Sequence, residues 1–263
     1  MPNILIIGHG FVGQAVDYAF SNTVKFIVDP KYDTFIPSDN LLNYDIVFVC
    51  VPTPMGDDGS IDTSILDSVL KQIADHKMVV VKSTVTPDII SNYDVIYNPE
   101  FLTESSSKEQ FVSAKFHILG GPAHRTAWLE GFYKEHSLCD NADFYHMTAE
   151  EASFVKYSIN SFLAMKVTFF NQLFDAVTST QANFNVVIKA IAADDRIGSS
   201  HTKVPGFDGK QGYGGACFPK DTSAFVSYSD KLTLLEKCIM INNDYRSQLE
   251  LNDREIEQNV NYG

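Results

Sequence analysis

A chain of 263 residues, 44% hydrophobic and 20% charged, has the composition of an ordinary globular protein with one large or two modest cores. Its formal net charge of −13, with no local basic patch, argues against a nucleic-acid backbone or an anionic membrane as partner. Met1 leads straight into a strand and no apolar run is long enough to span a bilayer, so a cytoplasmic location is expected. Cys50, Cys139, Cys217 and Cys238 are widely spaced with no C-x-x-C pair, and neither a disulfide framework nor a metal site is expected.

Asn3–Ile7 is a short apolar run, followed by Gly8-His9-Gly10-Phe11-Val12-Gly13 and a helical stretch to Phe20. This is G-x-G-x-x-G in the setting it needs, with a strand before and a helix after. The first glycine makes the tight turn, the second lets a pyrophosphate approach the backbone, and the third lets helix and strand pack closely. A second strand over Val24–Val28 ends in Asp29. It lies about twenty residues beyond the first glycine, where a carboxylate accepts hydrogen bonds from the adenosine ribose and favours NAD over NADP. Residues 45–51 form an apolar run of the kind found in buried parallel strands, stopped by Pro52-Thr53-Pro54, and ligands gather at such carboxyl ends.

Residues 56–59 read as a turn, and Ile65, Leu66, Val69, Leu70 and Ile73 then recur at helical spacing. A strand over residues 78–81 runs into Lys82-Ser83-Thr84-Val85, and Thr86-Pro87 reads as the cap and first residue of a short helix. A strand over residues 94–97 precedes Asn98-Pro99-Glu100-Phe101-Leu102-Thr103-Glu104, and a helix there would put Glu100 and Glu104 on one face. Strands over 116–119 and 143–145, with a helix around Trp128 between them, complete the alternation. The pattern predicts an α/β, Rossmann-like, doubly wound parallel sheet over residues 1–147.

Residues 148–263 read as an all-helical second domain built on one long central helix, expected over 148–181. Thr148-Ala149-Glu150-Glu151 is a capping box, and apolar side chains from Phe154 to Val177 cover more of the helix than a single core requires. Lys156 and Asn160, at i,i+4, share one edge of the polar stripe. Taken alone, that pair reads more readily as a solvated helix edge than as a site. Asn185 reads as the cap of a shorter helix ending near Gly198, and an irregular loop then reaches Gly214-Gly215-Ala216-Cys217-Phe218-Pro219-Lys220-Asp221-Thr222. Proline at a first helical position would put Cys217 just outside a helix N-terminus with Lys220 nearby, and both favour thiolate; a buried, inert cysteine is the alternative. Helical sequence resumes at about Leu232, and the polar part after Asn252 is expected to fray.

Taken together, these segments resemble the UDP-glucose/GDP-mannose dehydrogenase family. GHGFVG, CVPTP, KSTVTPD, NPEFLTES, KYSINSFLAMKVTFFN, DDRIG and GYGGACFPKDT follow one another in the family's order over nearly the whole chain. The resemblance implies an NAD-dependent, two-step oxidation of a nucleotide sugar, UDP-glucose to UDP-glucuronate, and a homodimer formed through the helical region. It implies Cys217 as the nucleophile that captures an aldehyde as a thiohemiacetal and then carries a thioester, with Lys156 and Asn160 stabilising the oxyanion. Asp221 with Thr84 would position or activate water, and Glu104 and Glu100 would assist proton transfer or hydrolysis. Cofactor contacts would come from Gly8, Gly10, Phe11, Val12, Gly13 and Asp29, and from Thr53, Thr84, Glu104 and Lys220. Substrate contacts would fall on Glu100, Phe101, Leu102, Lys156 and Asn160, and on Arg196, Phe207 and Gly214. Full members of the family continue into a second nucleotide-type domain that holds much of the UDP moiety, and this sequence stops at Gly263 short of it. Between Asp29 and Asp45 a short segment with Lys31, Tyr32 and Pro37 stands where the family carries a helix and an extra strand.

The chemistry asks for these residue types independently. Oxidising an aldehyde to an acid with a second hydride needs a tetrahedral adduct, which a thiolate supplies covalently. Its oxyanion needs fixed donors, and thioester hydrolysis needs a carboxylate-activated water. Two other readings compete with this one. A single-step dehydrogenase of the 3-hydroxyacid or 6-phosphogluconate type would share the helix-borne lysine and asparagine but has no use for Cys217. A catalytically silent, NAD-binding assembly partner would need none of the reactive groups.

Overall fold

The computed structural model describes residues 1–263 apart from Glu104, Ser105 and Asp140 and the side chain of Ser38. The chain divides into two compact units, Met1–Thr53 with Asp62–Lys156, and Pro54–Ile61 with Tyr157–Gly263.

The first unit is built on one sheet. Its strands are β1 (Asn3–Ile7), β2 (Val24–Val28), β3 (Ile46–Val49), β4 (Val79–Val81), β5 (Ile96–Tyr97), β6 (Phe116–Gly120) and β7 (Asp143–Met147). Their order is β2-β1-β3-β4-β5-β6-β7. The first five are mutually parallel, as are β6 and β7, but β5 meets β6 antiparallel through Tyr97 and Gly120. The sequence did not reveal this reversal, because a strand buried on both faces shows the same apolar run in either direction.

Alternation along the strands feeds two cores. Ile4, Ile6 and Phe48 meet Ala15, Val16 and Ala19 of α1 (Phe11–Ala19) and Leu129, Phe132 and Tyr133 of α5 (Ala123–His136). Leu5, Ile7, Val47 and Val49 share the other core with Leu66 and Val69 of α2 (Ser64–Gln72) and Ile90 of α3 (Pro87–Ile90). Each buried Val, Leu, Ile or Phe side chain among them contributes about 1.5–3 kcal/mol. Two short 3₁₀ turns, Pro30–Tyr32 and Ser38–Asn43, join β2 to β3. Because β2 and β3 lie on opposite sides of β1, a crevice opens where β1 and β3 end, at Gly8 and Cys50.

Residues 100–103 are irregular, and the helix after them, α4 (Ser107–Val112), starts later than expected. The cause is local: Glu100 Oε2 accepts the Leu102 amide at 2.6 Å, a turn that competes with helix formation. Glu104, expected on the same face as Glu100, lies outside the described residues.

The long helix, α6, spans Ala149–Thr178. Its capping box forms as expected, with the Thr148 amide donating to Glu151 Oε2 at 2.8 Å and the Glu151 amide to Thr148 Oγ1 at 3.2 Å. Its opening turns belong to the first unit, where Ala152 joins the core. The remainder forms the second unit with α7 (Phe184–Ile191), α8 (Phe218–Tyr228), α9 (Thr233–Arg246) and α10 (Asp253–Glu257). The cap of α7 is Asn183 rather than Asn185; the Asn183 side chain accepts the Asn185 amide at 2.9 Å, so the helix begins at Phe184, whose ring packs edge-on against Phe174.

The segment after Asn252 does not fray. Asn252 and Glu255 form a reciprocal capping box, and Glu255, Gln258, Val260 and Tyr262 are buried. Its polarity had suggested solvent, but the buried carboxylate is fully engaged by donors.

Candidate active-site residues

The turn after β1 fits a dinucleotide. Gly8 has φ +89°, and a Cβ on it would lie 2.6 Å from the Cys50 carbonyl oxygen. A Cβ on Gly13 would lie 2.0 Å from the Gly8 carbonyl oxygen, so no side chain is tolerated where α1 crosses the turn. Gly10 is different, since nothing lies within 4 Å of the Cβ position there. It caps α1 without a side-chain hydrogen bond, leaving open space at a helix N-terminus of the kind a pyrophosphate occupies. Phe11 and Val12 open that helix.

Asp29 anchors the rim. Its Oδ2 accepts the His9 amide at 2.6 Å and its Oδ1 the Lys31 amide at 2.9 Å. A carboxylate has about four acceptor positions, so both oxygens retain capacity for ribose hydroxyls. The residues present therefore fit NAD.

At the ends of β3 and β4, Thr53 and Thr84 meet: the buried Thr53 hydroxyl donates to the Thr84 carbonyl at 2.8 Å. Ser83 Oγ likewise donates to the Val51 carbonyl at 2.6 Å. These bonds tie the two carboxyl ends together beneath the crevice.

Lys156 and Glu100 form a buried ion pair in the same unit. Lys156 Nζ donates to the Glu100 carbonyl at 2.6 Å and to Oε1 at 3.2 Å, and lies 5.3 Å from the centre of the Phe101 ring. Lys156 is 2% exposed. The solvated-edge reading of this lysine is thereby overturned. A charge is retained in such a place only where its partner is also buried and hydrogen-bonded. Glu100, Phe101 and Leu102 also line a cavity of about 320 Å³ with Lys82 and His117.

Lys82 was not singled out from sequence. Its Nζ donates to Asn98 O and Oδ1, both at 2.9 Å, while Tyr133 donates to the same Oδ1 at 2.7 Å. Burial lowers Lys82 to about 8, and burial likewise pushes the Cys50 thiol up to about 12 and His117 down to about 3. Among the described residues His117 Nε2 is buried without an acceptor or donor.

In the second unit, Asn160, Lys220 and Asp221 come together. Asn160 Nδ2 donates to Asp221 Oδ2 at 2.6 Å and Lys220 Nζ to Asp221 Oδ1 at 2.5 Å, all three side chains being buried. Asp221 stands in the first turn of α8, where the helix dipole favours a carboxylate. Cys217 is the cap of that helix and partly exposed, and its carbonyl accepts the Asp221 amide at 2.9 Å. The positive charge of Lys220, expected to act on the thiol, is engaged by Asp221.

Gly214 sits in the turn leading to Cys217, beside Arg246 and Glu255. Arg196 is exposed and paired with Asp194 through its Nε and Nη2, and Phe207 is 97% exposed. Neither is joined to the Asn160–Lys220–Asp221 cluster. The sequence reading missed Asn171, Asn242, Arg246, Glu255 and Tyr262, which hold the turn before Cys217. One signal was available: Asn252 and Glu255 have capping-box spacing.

Most of the chain matches known proteins. The NAD-binding domain of the UDP-glucose/GDP-mannose dehydrogenase family matches residues 32–136, and the family's central domain matches residues 150–244. The chain is 32% identical to the UDP-glucose 6-dehydrogenase YwqF of Bacillus subtilis over 94% of its own length and 67% of that protein's. It is also 32% identical to the UDP-glucose 6-dehydrogenase AglM of Haloferax volcanii, over 72% of the chain but 49% of that protein. The structure of a UDP-glucose dehydrogenase from Pyrobaculum islandicum superposes with a TM-score of 0.79 at 25% identity, covering 93% of this chain and 68% of the other. The chain thus spans between about half and two thirds of the length of these relatives.

Proposed function

Because the chain belongs to the UDP-glucose/GDP-mannose dehydrogenase family, we propose that it oxidises the C6 alcohol of a nucleotide sugar to a carboxylate in two steps, with UDP-glucose the leading substrate. NAD is the cofactor, held by Gly8, Gly10, Gly13 and Asp29, and each oxidation removes a hydride from C6, the chemistry NAD supplies when bound. The functional division would be residues 1–147 for the cofactor and 148–263 for the helical domain with the cysteine turn.

The observation that carries this reading is the buried cluster in which Asn160 of α6 meets Lys220 and Asp221 in the first turn of α8, the helix whose cap is Cys217. In the proposed sequence, the Cys217 thiolate adds to the carbonyl carbon of the first product, the aldehyde. Lys156 and Asn160 donate to the resulting oxyanion. Loss of the second hydride leaves a thioester on Cys217 Sγ. Water, activated by Asp221 with Thr84, and with help from Glu100 and Glu104, attacks the acyl carbon; the C–S bond breaks, the thiolate leaves and the carboxylate is released. A single-step dehydrogenase would make no use of a cysteine at this cap.

Among the described residues no helix is long and apolar enough to cross a membrane. Exposed Phe162, Phe169 and Leu234 line an apolar cavity of about 500 Å³ in the second unit, and this supports a homodimer through the helical region.

The test is an assay of wild type and Cys217→Ser on a panel of nucleotide sugars. Wild type should form a carboxylate, and the serine variant should bind NAD normally but fail to form it, because a hydroxyl is a weak nucleophile and a poor leaving group at neutral pH. Carboxylate formation by the variant at the wild-type rate would contradict the assignment. NAD binding without turnover of any nucleotide sugar by the wild type would leave the chain an assembly partner.

A further inference from the structure

The turn before Cys217 is gripped from three sides by buried polar side chains. Asn171 Oδ1 of α6 accepts the Gly212 amide at 3.0 Å, and Asn242 of α9 takes the Tyr213 amide on Oδ1 at 2.6 Å while donating Nδ2 to the Tyr213 carbonyl at 3.1 Å. Arg246 donates Nη2 to the Gly212 carbonyl at 2.8 Å and Nη1 to Asp208 Oδ2 at 2.7 Å. The third grip comes from the C-terminal segment, where Glu255 Oε1 accepts the Gly215 amide at 3.0 Å.

Glu255 is itself held rigidly. Tyr262 donates its hydroxyl to the same Oε1 at 2.6 Å, and Oε2 accepts the Asn252 amide at 2.8 Å. Burial alone would raise its ionisation range, but the Tyr262 hydroxyl, the Asn252 and Gly215 amides and the charge of Arg246 outweigh it and keep the carboxylate ionised to lower pH. A carboxylate and a guanidinium, 1% and 2% exposed, are an expensive way to hold a loop if only compactness is at stake. Gly215 has φ +83° and stands two residues before Cys217, so any rotation of its amide re-aims the backbone that carries the thiol.

We propose that residues 252–262 are a positioning element for the nucleophile, with Glu255 and Tyr262 fixing the Gly215 amide so that Cys217 stays at the cap of α8. The proposal builds on the reading of Cys217 as the acyl carrier. Glu255 and Tyr262 are positioning residues; they act through the backbone of the turn.

The experiment uses the full chain with Tyr262→Phe, which removes one hydroxyl, and Glu255→Gln, which keeps the shape but removes the charge. Cys217→Ser is run alongside. Readouts are kcat and KM for the nucleotide sugar, NAD binding, thermal unfolding, and the pH profile of Cys217 alkylation by iodoacetamide followed by peptide mass spectrometry. Both positioning variants should bind NAD as wild type does, lose kcat by about tenfold or more with KM changed far less, and move the alkylation midpoint up by about half a pH unit or more as the thiol leaves the helix terminus. Should Glu255→Gln fail to fold, Tyr262→Phe carries the test. A folded Tyr262→Phe with wild-type kcat and an unmoved alkylation profile overturns the proposal. So does a kcat loss that merely follows the unfolded fraction. If Cys217→Ser is inactive while the positioning variants behave as wild type, the positioning proposal fails alone; if Cys217→Ser forms carboxylate at full rate, the acyl-carrier reading fails first.

Discussion

In the turn at residues 8–13 the atoms that exclude a side chain are backbone, whereas in the turn at residues 212–215 they are the ends of side chains. A Cβ on Gly13 meets the Gly8 carbonyl; a Cβ on Gly214 meets Glu255 Oε1 at 2.5 Å and Arg246 Nη1 at 2.6 Å. A carbonyl at the end of β1 cannot move without moving the sheet, but a carboxylate or guanidinium can rotate at the cost of its own hydrogen bonds. The first turn is thus a rigid cradle written in a local motif. The second is held by side chains from far along the chain, whose own hydrogen bonds keep it in place, and it leads to the proposed nucleophile. A binding surface for a cofactor needs only a fixed shape, while a nucleophile also needs its direction maintained.

Substitutions at the two turns should separate these behaviours. Gly13→Ala should have the largest effect, a loss of about 3 kcal/mol or more by urea unfolding together with loss of NAD binding, since the clash is with backbone. Wild-type stability for this variant would break the comparison. Gly214→Ala should cost roughly 1–2 kcal/mol, and the cost should shrink when Glu255 is shortened to serine, with a coupling of roughly 1 kcal/mol in a double-mutant cycle. Strict additivity would mean that the crowding at Gly214 is not from Glu255.

The second turn should also be acid-sensitive. Because the folded protein holds Glu255 below its ordinary range, the unfolded chain takes up its proton first. The stability it contributes is fully present above about pH 4.3 and is lost as pH falls from there through the folded value. Thermal unfolding of Glu255→Gln should therefore show a flatter acid limb than wild type. The smallest effect on stability belongs to Gly10→Ala, where the Cβ meets open space. A change of about 0.5 kcal/mol is expected, with NAD affinity lowered by about tenfold, roughly 1.4 kcal/mol of binding free energy.

The same contrast explains what could be read in the sequence. The strands of the first unit were legible as apolar runs, the nucleotide turn as spaced glycines, and the start of α6 as Thr148 and Glu151, because each depends on neighbours within a few residues. That Cys217 lies beside a helix N-terminus was legible because Pro219 marks the opening turn, although the helix starts one residue earlier than that proline suggests, at Phe218, which makes Cys217 itself the cap. The direction of β6 and β7 was not, since periodicity reports burial and not polarity. Nor was the burial of Lys156, whose partner Glu100 lies 56 residues away in sequence, in the irregular segment after β5. The tail after Asn252 was misread for a related reason: Glu255 and Gln258 are polar types, and the burial of Glu255 follows from Gly215, Tyr262 and Arg246, which the local composition does not announce.

The central claim is that one nucleotide sugar is oxidised twice before product leaves, and it is tested most directly by counting NADH released against sugar consumed, with the product identified by mass spectrometry. The family's double oxidation requires two NADH per sugar and a carboxylate. One NADH per sugar with an aldehyde or ketone as the released product would contradict it and leave Cys217 without a role in the chemistry.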